Sequence, residues 1–156
     1  MRRKLSHDRG FTLSHTFLFK EGIWRAQGEF CDTSGRAAPV DGETSIKHLE
    51  ARWLFEGVLR VRGDRPALHH NRYEIVPFSP GARSTHWTSN NPAVGALRGR
   101  FVVVGDAILS AYASPTGRFR GYESIQQQDE ARYSVRGALL EEDKLLSTWA
   151  IELTRV

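Results

Sequence analysis

An arginine and a tyrosine two positions apart, Arg120 and Tyr122, form the clearest binding chemistry in this sequence. Residues i and i+2 of a β-strand point to the same face, and a guanidinium beside a phenol can hold a carboxylate through charge-assisted hydrogen bonds. An arginine enclosed in a protein needs such a partner because its desolvation is otherwise uncompensated. The pair therefore predicts an anion-binding position, weighed against the commoner case of a solvent-exposed arginine.

Acid–base chemistry would need histidines, and two of them lie on predicted strands, His48 and His86. An imidazole can act as a general base or a metal ligand. The two histidines follow no ligand spacing, which favours structural roles. An enzyme would have to combine one of them with Tyr112 or Glu50 as acid and base.

Catalytic motifs are absent from the sequence: it has no G-x-S-x-G, H-E-x-x-H, phosphate-binding loop, dinucleotide fingerprint or C-x-x-C. Its single cysteine, Cys31, forms no intramolecular disulfide, which fits a reducing, cytoplasmic compartment. We predict no cofactor and no metal. These absences favour a binding protein and leave open a small cavity enzyme of the isomerase or lyase type.

The charge is basic but dispersed: 22 Lys and Arg against 18 Asp and Glu give a net charge of +4. No dense basic stripe is present, which disfavours nucleic acid as a partner. Single-stranded nucleic acid remains an alternative if Arg, Trp and Tyr share one outer face. No window approaches the ~20 apolar residues of a membrane span. Residues 1–12 are predicted to form a flexible basic tail. A homodimer is left open.

Hydrophobicity of period two dominates the chain and predicts an all-β fold. Trp53, Phe55, Leu59 and Val61 alternate with polar residues as in a half-buried strand. Short turn signals rich in Gly, Pro, Asn and Asp separate such runs. The pattern predicts ten strands, near residues 16–32, 42–51, 52–62, 70–78, 83–89, 97–104, 107–114, 118–127, 131–140 and 144–155.

Consecutive strands joined by tight turns make an antiparallel meander, and a long meander leaves two exposed edges unless it closes on itself. We therefore expect residues 1–156 to form a single closed up-and-down β-barrel domain.

A tryptophan between two glycines marks the first strand: Gly22-Ile23-Trp24, with Gly28 following. Together with about ten meandering strands and Arg155 at the end of the last one, this motif resembles the calycin superfamily of lipocalins and fatty-acid-binding proteins, and small bacterial lipocalin-like proteins in particular. The resemblance implies that Trp24 plugs the closed base of the barrel and that Arg155 covers it.

The resemblance also implies that the barrel binds a small, largely apolar molecule. The Arg120–Tyr122 spacing is similar to the pair that holds the acidic head group in fatty-acid-binding proteins, so the ligand is expected to be anionic if this pair faces inward. The alternation of the strands extends the predicted ligand-binding set to eight residues: Arg120, Tyr122, Tyr112, Tyr133, His48, His86, Phe55 and Tyr73.

Overall fold

The computed structural model describes residues 15–156, so the predicted N-terminal tail lies outside the described residues. Ten β-strands, and no helix, make up the described chain. Their bounds are β1 Gly22–Cys31, β2 Ala37–His48, β3 Trp53–Val61, β4 Ala67–Ile75, β5 Ser84–Asn91, β6 Gly95–Val104, β7 Ala107–Ala113, β8 Phe119–Asp129, β9 Arg132–Glu141 and β10 Lys144–Arg155.

The strands close into one antiparallel barrel in which each strand pairs with the next and β1 pairs with β10. The closing register runs from Trp24 opposite Arg155 to Cys31 opposite Thr148. Closure removes the free edges that a meander of this length would otherwise expose. The predicted closed barrel is confirmed.

One end of the barrel, here called the base, is filled by large inward-pointing side chains. Trp24 is fully buried, and its ring meets the rings of Phe17 and Tyr133 edge-on, both at 5.5 Å between centroids. Neighbouring strands add further fully or almost fully buried side chains to the core, among them Ile46, Ile75, Phe101, Ile108 and Ile125. Burying aromatic side chains of this size makes the base the main source of hydrophobic stabilisation.

The base is sealed by residues 15–20, which form a turn and not the start of β1. Lys20 N donates to Thr16 O across this turn, and Phe17 and Leu18 are buried inside the barrel end. The first strand therefore begins at Gly22 instead of the predicted residue 16. Since Leu18 has a left-handed backbone (φ 69°), the chain turns inward where a strand would have continued.

The hydroxyl of Tyr133 fastens this sealing turn to the barrel. It accepts hydrogen bonds from the backbone N of Thr16 (3.1 Å) and of Phe17 (3.3 Å), and it lies 2.8 Å from Nδ1 of His15. His15 Nε2 must donate to the carbonyl of Gly105 at 2.9 Å, because a carbonyl only accepts. Burial lowers the pKa of His15, which favours the neutral ring.

Arg155 lies beside the plug as the resemblance implies, but not on the face of the tryptophan. It is directly opposite Trp24 in the register, its guanidinium packs over Gly22, and it donates to the carbonyl of Glu21 at 3.0 Å. Within residues 15–156 the ring contacts of Trp24 are with Phe17 and Tyr133.

Nothing in residues 15–156 forms a helix of the length and apolarity needed to cross a membrane.

Candidate functional site

The barrel end opposite Trp24 is lined by inward-pointing side chains that keep accessible surface. Phe30, Leu59, Tyr73, Ser89, Phe119 and Leu139 are all only half-buried although the alternation of their strands points them inward. Accessible surface on side chains that point into a closed barrel means that this end encloses space. We call this space the lumen.

A stack of three aromatic rings forms one wall between the base and the lumen. The ring of Tyr73 lies parallel to that of Phe55 (4.9 Å, 15°) and to that of Trp87 (4.3 Å, 18°). Tyr112 continues this wall at 5.5 Å from Trp87. These residues come from four different strands, so the rings pack against one another around part of the barrel.

Two tryptophans lie flat against the inner wall because the residue opposite each is glycine. Trp87 is the register partner of Gly99, and Trp149 is the register partner of Gly137. A Cβ at either glycine would come within about 2.2 Å of the indole, namely 2.1 Å at Gly99 and 2.2 Å at Gly137. The glycines therefore allow the indoles to lie across the neighbouring strand and leave the lumen unobstructed.

Each indole reaches across its glycine to a polar residue on the strand beyond. Trp87 Nε1 donates to Ser110 Oγ at 3.2 Å, and Trp149 Nε1 donates to Glu123 Oε2 at 2.7 Å. Ser110 and Glu123 are themselves register partners on β7 and β8. The two tryptophans thus converge from opposite sides on one polar position in an otherwise aromatic wall.

Glu123 is the charged group of this position. Its neighbours at the same level are Tyr112, Tyr73 and Trp149, and burial raises the pKa of its carboxyl to about 7, an effect that the Trp149 hydrogen bond opposes in part. Among the inward-pointing strand residues of the described chain, the other acid is Glu141 at the rim, which is ion-paired with Arg118. Glu123 is therefore an isolated carboxyl that changes charge near neutral pH.

The two tyrosines near Glu123 stay protonated at neutral pH. Burial raises the pKa of Tyr73 and of Tyr112 well above the usual value, and the negative charge of Glu123 adds to both shifts. Their hydroxyls can donate or accept hydrogen bonds. The lumen therefore combines one titrating carboxyl with neutral phenols and aromatic faces.

The wall of the lumen is incomplete between β4 and β5. These strands pair only from Tyr73 opposite Ser89 to Ile75 opposite Trp87, so the stretch of β4 from residue 67 to 72 pairs with β3 alone. A cavity of about 510 Å³ opens on the outer face here and reaches Asn71, Asn90 and Pro92. The β4–β5 seam is therefore the part of the barrel wall with the fewest residue pairs between neighbouring strands.

The structure brings together three of the eight predicted binding residues around the lumen: Phe55, Tyr73 and Tyr112. Tyr133 also points inward, but it belongs to the packed base. His48 likewise lies at the base, where its ring stacks on Trp53 (4.0 Å) and Nε2 donates to Leu18 O (2.7 Å).

The remaining three predicted residues, Arg120, Tyr122 and His86, point outward and are exposed. The predicted inward orientation is therefore wrong for them. The buried positions of β8 are Gly121 and Ile125, and side chains alternate along a strand, so the even-numbered residues of β8 face solvent.

Glu123 and Trp149 were not predicted as site residues, although the sequence carries a signal for Glu123. Phe119, Gly121 and Ile125 alternate as apolar or small residues on β8, and Glu123 occupies the same phase. An acid in an apolar row of a strand indicates a buried polar group that needs a partner.

No group of three or more His, Cys, Asp or Glu within residues 15–156 is arranged to hold a metal ion.

Comparisons with known proteins find relatives by structure and not by sequence. No family model and no curated protein sequence matches the chain. An S-type phycobiliprotein lyase from Guillardia theta superposes with a TM-score of 0.67 at 9% identity, covering 88% of each chain. The protein Rv2717c from M. tuberculosis superposes with a TM-score of 0.66 at 17% identity, covering 86% of this chain and 91% of its own.

These likenesses show the fold alone: residues 15–156 form a closed ten-stranded antiparallel barrel with a calycin-like arrangement of strands.

Proposed function

We propose that the barrel binds one small, flat, largely apolar molecule in its lumen and pairs a hydrogen-bond donor of that molecule with Glu123. The observation that carries this proposal is the half-buried Glu123 carboxyl set among Tyr73, Tyr112 and Trp149. A carboxylate has about four acceptor positions, and Trp149 fills one. A ligand N–H or cationic group can use the others.

The aromatic side chains in the wall of the lumen favour a flat ligand. Trp149 lies flat over Gly137 and is only half-buried, whereas the rings of Tyr73 and Trp87 cover each other's faces. Aromatic faces favour offset stacking with planar conjugated ligands. The structural relative named a phycobiliprotein lyase supports the same class, because a bilin is a flat conjugated molecule with pyrrole N–H donors.

An acidic ligand is no longer favoured for the lumen. That expectation depended on Arg120 pointing inward, and Arg120 is exposed on the outer face. An anionic head group would meet the like charge of Glu123 in a medium of low dielectric constant. The polar group of the ligand is therefore a donor.

A matched pair of probes tests this proposal. Carbazole and dibenzofuran have the same flat shape, and only carbazole carries an N–H. Titrated against the parent at pH 8 and followed by tryptophan fluorescence, carbazole should bind tighter by roughly 1.5 to 3 kcal/mol, the range for a hydrogen bond to a charged group. Biliverdin dimethyl ester, which has N–H donors and no carboxylate, tests whether the lumen accepts a larger ligand.

Two variants make the test specific. Glu123→Met should remove the preference for carbazole while dibenzofuran still binds, and Glu29→Gln, which changes an exposed acid on β1, should leave both affinities unchanged. Equal binding of the two probes by the parent would contradict the role of Glu123.

A cavity enzyme is the second candidate function, and one observation favours it. A carboxyl with a pKa of about 7 suits a general base at neutral pH, and Tyr112 beside it could donate a proton. This alternative replaces His48 and His86, which lie at the base and on the outer face. It predicts that Glu123→Gln abolishes turnover of a bound carbonyl compound while binding persists.

A further inference from the structure

The outer face of β6 to β8 carries three exposed arginines, Arg98, Arg100 and Arg120, that have no carboxylate partner among the described residues. On the other side of the barrel, Arg60 and Arg62 both bond to Asp41. No outward-pointing strand position from β5 to β7, nor on β8 up to Gln126, is Asp or Glu. The positive charge of this face is therefore uncompensated.

These arginines surround a floor made of two alanines. Arg98, Ala113 and Arg120 form one register row across the three strands, and Arg100, Ala111 and Tyr122 form the adjacent row. With strands about 4.8 Å apart, the outer members of each row stand about 10 Å from each other across a methyl group. Two guanidiniums on long stems can converge on one anion above Ala113.

The second row offers a place for an aromatic ring. Tyr122 is 58% exposed, so its aromatic ring is available to a ligand on the outer face. Arg100 donates to Nε2 of His86 at 3.1 Å, an acceptor that carries no negative charge, so the charge of Arg100 stays uncompensated. A shallow depression of about 370 Å³ lies on this face, lined in part by His86, Arg98 and Ala111.

We propose that this surface, named the arginine cradle and formed by Arg98, Arg100, Ala111, Ala113, Arg120 and Tyr122, binds a planar aromatic ring that carries a phosphate, as a nucleotide does. The phosphate lies between Arg98 and Arg120, where its double charge and several oxygens match two forked donors. The ring lies over Ala111, against Tyr122. The cradle is on the outer surface, so this inference is independent of what the lumen holds.

The size of the cradle favours a free nucleotide over a single strand. It offers one exposed aromatic ring, whereas single strands are usually held by several stacking side chains along a basic groove. All four tryptophans, Trp24, Trp53, Trp87 and Trp149, occupy inward-pointing strand positions. The outer face therefore lacks the tryptophan that the sequence-based nucleic-acid alternative required.

Calorimetric titration with three compounds tests the chemistry. AMP, which has both ring and phosphate, should bind the parent at least tenfold more tightly than adenosine or ribose 5-phosphate, and its affinity should fall as salt is added. Arg98→Gln and Arg120→Gln should each weaken AMP at least tenfold. Arg25→Gln, the same charge change on the outer face of β1, should not weaken it.

Further arms identify the source of the nucleotide and separate the two proposals. If a short oligodeoxyadenylate binds no more tightly than AMP, and loses affinity in the same variants, the ligand is a free nucleotide. If the oligonucleotide binds far more tightly, with affinity that rises with its length, the proposal that the cradle binds a free nucleotide is overturned. Glu123→Met should bind AMP normally, since it alters only the lumen. AMP binding equal to that of adenosine, or unchanged in Arg98→Gln and Arg120→Gln, also overturns the proposal.

Discussion

Glu123 shows how a single acid in an inward-pointing row of apolar and small residues can define a site. Among residues 15–156, Trp149 donates a hydrogen bond to Glu123, and the indole reaches it because Gly137 lies between them in the register. A side chain at residue 137 would block that path. The identity of the carboxyl's partner thus depends on a glycine of β9, the strand between them, and the three residues are brought together only by the pairing of β8, β9 and β10.

The protonation of Glu123 should make stability depend on pH. Its pKa is about 7 in the folded protein against 4.5 for the ordinary side chain, so between these values the native state holds a proton that the unfolded state releases. Stability therefore falls as the pH rises from 4.5 to 7 and stays low above 7. Glu123→Gln removes this loss, which amounts to at most about 3 kcal/mol.

Thermal melts of the parent and Glu123→Gln measure this effect. The variant should melt higher than the parent at pH 8, and the difference should shrink toward pH 5. The exposed acid Glu43, changed to Gln, provides the control and should show no such trend. A difference that is constant with pH would mean that Glu123 ionises normally in the folded protein.

At the scale of the element, period two predicted the strands well because an inward-facing row must exclude polar side chains almost everywhere. It predicted the start of β1 wrongly: Phe17 and Leu18 are apolar because they seal the base, not because they belong to a strand. The expected inward orientation of Arg120 and Tyr122 is wrong, because the small and apolar residues Gly121 and Ile125 mark the inward row of β8.

The sealing turn of residues 15–20 should depend on the hydroxyl of Tyr133. Tyr133→Phe leaves the backbone N of Thr16 and Phe17 without their acceptor, and a buried donor left unsatisfied costs roughly 1 to 3 kcal/mol. Urea unfolding should show this loss. Tyr122→Phe removes an exposed hydroxyl and should leave the midpoint unchanged; an equal effect of both changes would contradict the sealing role.

The pairing of β9 with β10 should depend on Gly137 in a way that a second substitution can relieve. Gly137→Ala places a Cβ about 2.2 Å from the Trp149 ring, so the indole must leave the wall, at a cost of roughly 1 to 3 kcal/mol. In a Trp149→Leu background the same change should cost less, because the ring is gone. Additive effects in the double variant would show that the two residues are not coupled.

For the whole molecule, the closed barrel could be predicted from the sequence, but the side chains that line its lumen could not. Closure follows from topology, since a ten-strand meander has no other way to remove its edges. Which side chains enter the lumen depends on strand phase, on Gly99 and Gly137 beneath the indoles, and on the gap at β4, and all three arise from pairing between strands distant in sequence. The barrel therefore has a packed base at one end and the lumen at the other.

Amide hydrogen exchange should reveal this difference in stability between parts of the barrel wall. β4 pairs with β5 over three residue pairs, whereas β1 pairs with β10 over eight, so the amides of residues 67–72 should exchange much faster than those of β1 and β10. Local opening costs least where backbone hydrogen bonds are few.

If the gap admits ligands to the lumen, saturating carbazole should slow exchange in residues 67–72 and in the β5–β6 hairpin while leaving the base unchanged. Protection that appears first at residues 15–20 would instead place the entrance at the base, and uniform exchange across all ten strands would show that the barrel wall has no weak point.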